Sequence, residues 1–178
     1  MQTQGMLSVE ELAELAHTGQ IDTVLCQFTD LQGRFMGKRV LPDFFLEEIL
    51  GEEGLHACLY LLAIDMEMEP LPGYEYASWE TGYGDFRMVP DVSTLRMCPW
   101  LEKTAMVICD IADEEDGSPV SVSPRQILKD QVAKSAEMGA PAGAVTHSPC
   151  EPVSLSRITW LGVRETCNGT ASNASTST

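Results

Sequence analysis

Two short apolar runs, at residues 56–64 and 104–111, restrict the possible folds of this chain more than any other feature. The first (HACLYLLAI) is continuous, and the second (TAMVICDI) is broken only near its end. Both are far below the ~20 residues needed to span a bilayer, and both are short for a buried helix, so they read as strands covered on both faces. Such strands need another layer. Residues 21–29 alternate, with Val24, Cys26 and Phe28 on one face. The turn Asp30-Leu31-Gln32-Gly33 and a second extended run at 34–40 follow, which together predict a β-hairpin. Ser8 and Glu11 have capping-box spacing, and Leu7 and Leu12 stand where a hydrophobic staple would put them, so a helix should run to about Thr18 and stop at Gly19. A short helical pattern at 43–50 follows Pro42. These elements predict an α+β roll over residues 21 to about 100, with Val24, Cys26, Phe28, Leu59, Leu61 and Val107 near its core.

Between 67 and 90 the chain changes character. Pro70, Pro72, Gly73, Gly82 and Gly84 punctuate a stretch that also carries Tyr74, Tyr76, Trp79 and Tyr83, which reads as a long loop either packed down on the surface or, the preferred reading, presented to a partner. A short strand at 95–97 precedes the break at Pro99-Trp100. The acidic block 113–116, closed by Gly117, reads as the solvated turn of a hairpin into 119–122, since calcium loops alternate their oxygen ligands instead of running them together. Ser123 at N-cap and Pro124 at N1 then open a helix whose apolar stripe is Ile127, Leu128, Val132 and Ala136 and whose stop is Gly139. Residues 140–178 lack periodicity and end in Thr, Ser, Asn, Gly and Ala, a composition expected to stay disordered.

Charge narrows the functional classes. The chain of 178 residues carries 27 acidic against 11 basic side chains, a formal charge of −16, and such a surface repels nucleic-acid phosphates and anionic lipid. Neither nucleic acid nor a membrane is therefore an expected partner. The six cysteines form no CxxC pair, and Cys26, Cys58 and Cys109 lie in apolar runs, so they read as reduced residues of a cytoplasmic protein. No basic-then-apolar leader opens the sequence.

Several blocks, in order, resemble the glutamine synthetase family. Thr29-Asp30-Leu31-Gln32-Gly33-Arg34 with Gly37-Lys38-Arg39 is similar to the hairpin of that family's N-terminal β-grasp domain. Met88-Val89-Pro90-Asp91 with Ser93-Thr94-Leu95 resembles the exit from that domain, and the likeness continues to Gly139. Asp65-Met66-Glu67-Met68-Glu69-Pro70 and Trp79-Glu80 look more like the branch of the γ-glutamylamine and γ-glutamylpolyamine synthetases. The ammonia-specific loop, an aspartate followed by glycine and serines, does not occur as such, so the acceptor amine stays open. The resemblance implies a helix at 1–20, a β-grasp domain at 21–103, the first strands and helix of an incomplete catalytic domain at 104–139, and a divergent tail at 140–178.

The same resemblance implies a chemistry. Family members use ATP and Mg²⁺ or Mn²⁺ to join the γ-carboxylate of glutamate to ammonia or an amine, as homo-oligomers in which an N-domain aspartate reaches the neighbouring subunit's active site. Asp65 aligns with that aspartate, and Glu67 is the substitute if the register is displaced. A carboxylate suits the role because an alkylammonium ion must be held and deprotonated before it attacks. Read from the residues alone, Asp65 is more simply an ordinary strand-end carboxylate facing water, and only the resemblance brings the two readings level. The Glu-x-Glu strand that opens the family's metal site should follow Gly139 and does not. The chain is accordingly expected to be a truncated ligase, inactive alone and without a metal or nucleotide site of its own, or else a non-catalytic β-grasp module that binds protein.

Overall fold

The computed structural model describes residues 5–51, 54–74, 76, 78 and 82–139. The expected tail, Cys150 and Cys167, and the Trp79-Glu80 pair lie outside them. The described residues fall into two compact units, one running to Ile127 and the other starting at Leu128.

In the first unit the N-terminal signals act as expected. Helix α1 (Val9–His17) begins at Ser8, whose hydroxyl accepts from the Glu11 amide while the Glu11 carboxylate accepts from the Ser8 amide, completing the capping box. Strand β1 (Thr23–Thr29) pairs antiparallel with β2 (Phe35–Val40), and Gly33, at φ +82°, takes the left-handed conformation that the turn requires. Gly37 is demanded by space. A Cβ there would lie 1.9 Å from the Cys26 carbonyl oxygen, so any side chain must push the two hairpin strands apart. Gly37→Ala is expected to cost about 2–3 kcal/mol, read as a lowered denaturant midpoint with an unchanged m-value.

The sheet is mixed, in the order β2-β1-β5-β4-β3. Strand β5 (Thr104–Asp113) runs parallel to β1 and antiparallel to β4 (Asp85–Met97), and β4 pairs antiparallel with β3 (Leu55–Cys58). The expected start of a second domain at residue 104 thus falls on the middle strand of this sheet. Alternation sorts its faces. Val24, Cys26, Phe28, Phe86, Met88, Val107, Cys109 and Ile111 form one buried cluster with Leu12 of α1 and with Phe45 and Ile49. Leu25 and Met106, paired across β1 and β5, meet Cys98 in a smaller cluster. Phe28 and Phe86 pack edge to face with ring centroids 5.1 Å apart. Cys26, Cys58, Cys98 and Cys109 are free thiols, and Cys109 is pushed well above the usual thiol range, first by its hydrogen bond with Cys26 and then by burial. It stays protonated and acts as a small core residue.

Three expectations need correction. Residues 56–64 are not one strand. β3 ends at Cys58, opposite Asp85, where β4 begins. The Leu59 amide is then taken by the Gly84 carbonyl, and residues Leu59–Leu62 coil into a 3-10 turn. This shifts the buried position from Leu59 and Leu61, both half-buried, to Leu62, which is 2% exposed. Second, the supposed loop before Pro90 holds the first half of β4. Pro90 is tolerated because it lies beyond Met88, the last residue paired near β3, where β4 is an edge on that side. A register shift between Asp91 and Arg96 is closed by the Thr94 hydroxyl, which donates to the Asp91 carbonyl and accepts the Ile108 amide at 2.9 Å.

Third, the 43–50 helix is α2 (Pro42–Phe44) followed by a π-helical turn at Phe45–Ile49. The acidic turn is as expected, with Asp113 Oδ1 accepting the Glu115 amide at 2.9 Å and the Asp113 amide donating to the Ser118 carbonyl. Its return strand is reduced to a single bridge, Ala112 to Pro119. Helix α3 (Pro124–Glu137) stops before Gly139, but Ile127, Leu128 and Val132 on its expected buried stripe are 47%, 60% and 43% exposed.

Candidate functional site

The hairpin turn between β1 and β2 builds a support for Asp65. Asp30 is fully buried, and its Oδ1 accepts the amides of Gln32 and Arg34 at 3.0 and 2.8 Å. Its Oδ2 accepts from Arg34 Nε at 2.6 Å, a charge-assisted contact that aims the guanidinium. The other two guanidinium nitrogens then reach across the fold. Nη2 donates to the Asp65 carbonyl and Nη1 to the Met66 carbonyl, each at 2.8 Å, while Gln32 Nε2 donates to the Ile64 carbonyl at 2.9 Å. Three successive carbonyls of the 64–66 segment are therefore held by one β-turn some thirty residues earlier in the chain.

Asp65 itself stands in a closed loop. Its amide donates to the Glu69 carbonyl at 3.0 Å, Ile64 bridges to Pro70, and its Oδ1 accepts the amides of Glu67 and Glu69 at 2.8 and 3.0 Å. One carboxylate oxygen is used to shape the loop, and Oδ2 makes no hydrogen bond among the described residues. The side chain is half-buried, whereas Glu67 is exposed and contributes only its amide to this arrangement. Asp65 and Glu67 are thus brought together by the loop, and their carboxylates have different environments.

Sequence reasoning passed over Asp30 and Arg34 as site-shaping residues, although both stood in the quoted hairpin block. The sign that marks them is an aspartate that must serve two turn amides and an arginine four residues on, a pattern that acquires meaning only once Asp30 is seen to be buried. Asp30→Asn keeps the shape but removes the charge that aims Arg34. It is expected to cost about 1–2 kcal/mol and to raise amide exchange at residues 64–69, measured by denaturation and hydrogen exchange.

A second charged group lies elsewhere in the first unit. Arg125, in the first turn of α3, donates from Nη2 to Asp91 Oδ2 and from Nε to Asp110 Oδ1, the latter at 2.7 Å. It fixes the start of that helix against β4 and β5. A cavity of about 470 Å³ is lined by Ile49, Gly51, Gly54, Arg87, Met88, Val89 and Pro90, and neither Asp65 nor Glu67 borders it. Among the described residues no three His, Cys, Asp or Glu side chains converge as metal ligands, and no helix is long and apolar enough to cross a membrane.

No family model matches the chain. Individual proteins do. The chain is 52% identical over 141 residues to a γ-glutamylethanolamide synthetase of Streptomyces coelicolor, covering 79% of this chain and 30% of that protein. It is 31% identical over 139 residues to a glutamate–isopropylamine ligase of a Pseudomonas species, covering 78% and 30%. Among solved structures, GmaS without ligand superposes over 72% of this chain and 27% of its own with a TM-score of 0.54 at 25% identity. A glutamine synthase homologue superposes over 67% and 28% with a TM-score of 0.56 at 18% identity, a likeness of fold alone. The chain spans about 30% of the length of the curated relatives it matches. Across the part these relatives share with it, the chain belongs to the glutamine synthetase family, on the branch of the γ-glutamylamine synthetases.

Proposed function

We propose that this chain carries the N-terminal part of a ligase that joins the γ-carboxylate of glutamate to an amine at the expense of ATP, in the cytoplasm and as a homo-oligomer. The observation that carries the reading is the Asp65 loop. Its backbone is held by Arg34, one of its carboxylate oxygens is held by two amides, and the other makes no hydrogen bond among the described residues, in a chain 52% identical to a γ-glutamylethanolamide synthetase.

In the proposed reaction the γ-carboxylate oxygen of glutamate takes the terminal phosphoryl group of ATP and ADP leaves. The ammonium nitrogen then gives up one proton, the neutral amine forms a bond to the γ-carbon, the carbon–oxygen bond to phosphate breaks, and the nitrogen loses a second proton, keeping one N–H in the amide. Asp65 holds the incoming ammonium group, lowers the cost of its charge, and accepts the proton that must leave before the lone pair can attack. Glu67 is the substitute if the loop docks one step further on. The assignment of a β-grasp-like domain that leads into the catalytic part belongs to the same proposal and is supported by the hairpin, but its boundary belongs after β5 and not at residue 104, since β5 joins β1 to β4 in one sheet.

Family members use a divalent metal as well. The described residues do not fit one, since they bring no set of three ligand side chains together, so no step here passes through it. The direct test is a chimera in which residues 5–127 of this chain replace the matching part of the Streptomyces coelicolor relative. With ATP, glutamate and ethanolamine or isopropylamine it is expected to yield the corresponding γ-glutamylamide by mass spectrometry, and a folded, ATP-binding chimera that makes none would refute the reading.

A further inference from the structure

The loop that Asp65 closes, Met66 to Glu69, carries two large apolar side chains that remain in contact with water. Met66 is 64% exposed and Met68 is 42% exposed. Their backbone prevents them from folding away. The Met66 carbonyl is held by Arg34 Nη1, the amides on either side of Met68 are held by Asp65 Oδ1, and Met68 itself sits at φ +70°, a left-handed conformation that a side chain this large rarely adopts. Exposed apolar side chains on a restrained, locally strained loop are costly unless something covers them during function.

We propose that Met66 and Met68 form an apolar collar beside the Asp65 carboxylate and select a primary amine carrying a hydrocarbon substituent over ammonia. The inference rests on the reading of Asp65 as the amine-holding group. An alkylammonium ion has two ends. The carboxylate holds the charged end, and flexible, polarisable methionine side chains can close around the carbon chain and shed water from both surfaces. Ammonia offers no such surface, so the collar gives it nothing while still desolvating the site. The sequence Asp65-Met66-Glu67-Met68 thus puts two hydrocarbon-binding side chains on the short loop that the charge-binding carboxylate closes.

The chimera described above tests this with three variants. In Met66→Ser/Met68→Ser the ratio of kcat/KM for isopropylamine to that for ammonia is expected to fall by about tenfold or more, the range that one or two lost apolar contacts give in a specificity pocket. In Met66→Leu/Met68→Leu, which keeps apolar volume, the ratio should return to within about threefold of the parent, whereas a purely structural role for sulfur would not restore it. Asp65→Asn is the control on the underlying reading. If it lowers turnover with every amine while the serine variant leaves the ratio unchanged, or lowers both amines equally, the collar is overturned and the Asp65 reading stands. If Asp65→Asn changes nothing, both are overturned.

Discussion

Asp65→Asn, in the chimera with a complete catalytic part, is expected to lower amine-dependent turnover by on the order of 10²-fold or more, the loss typical of removing a general base or an electrostatic stabiliser. The amide is nearly isosteric. Its oxygen can still accept the Glu67 and Glu69 amides, so the loop should survive, and the ATP affinity should be unchanged. What is lost is the negative charge beside the incoming ammonium group and the capacity to take its proton. Steady-state kinetics with saturating ATP and glutamate and a varied amine provide the measurement. Glu67→Gln alters an exposed side chain whose carboxylate makes no hydrogen bond among the described residues, and it should leave turnover close to that of the parent. If both variants keep full amine-dependent turnover, this loop supplies no catalytic carboxylate and Asp65 is a loop-closing residue only.

Leu62→Asp is the largest expected loss of stability, about 4 kcal/mol or more, because it places an unpaired carboxylate at a position 2% exposed inside the main core cluster. Leu61→Asp, one residue earlier and half-buried, should cost about 1 kcal/mol. The contrast discriminates between conformations. A strand through 56–64 covered on both faces would make Leu61 as sensitive as Leu62, whereas the 3-10 turn buries Leu62 and leaves Leu61 half-buried. Urea unfolding of the two variants decides it, and equal midpoints would contradict the turn.

That contrast also shows what the sequence could and could not reveal. Signals confined to a few residues were legible. The capping box at Ser8 and Glu11, the β1–β2 hairpin around Gly33, the acidic turn and the Ser123-Pro124 helix start all depend on hydrogen bonds among near neighbours. The end of β3 depends instead on where β4 begins, so the apolar run at 56–64 could not show where its ladder stops. β4 was obscured for a related reason. Its faces alternate differently along its length, since β3 covers only its first four residues and a bulge intervenes after Asp91. Asp65 was found through family likeness, because a carboxylate after an apolar run carries no distinctive local signal. Arg34, which holds its carbonyl, acts over a separation of 31 residues and has no local signature at all.

The parallel pairing of β1 with β5 also bears on the order in which this domain can assemble. The β1–β2 hairpin closes over a short turn, but Thr23 finds its ladder partner, Thr104, only roughly eighty residues later, so the middle of the sheet carries the largest loop-closure entropy. Until β5 is made, β1 has one free side and β4 with β3 has nothing to dock against. On a ribosome, then, the sheet would remain in two unjoined parts until residues up to about Asp113 had left the exit tunnel. Sheet formation would come late and all at once, with the Asp65 loop, anchored to the early hairpin through Arg34, waiting for its surroundings.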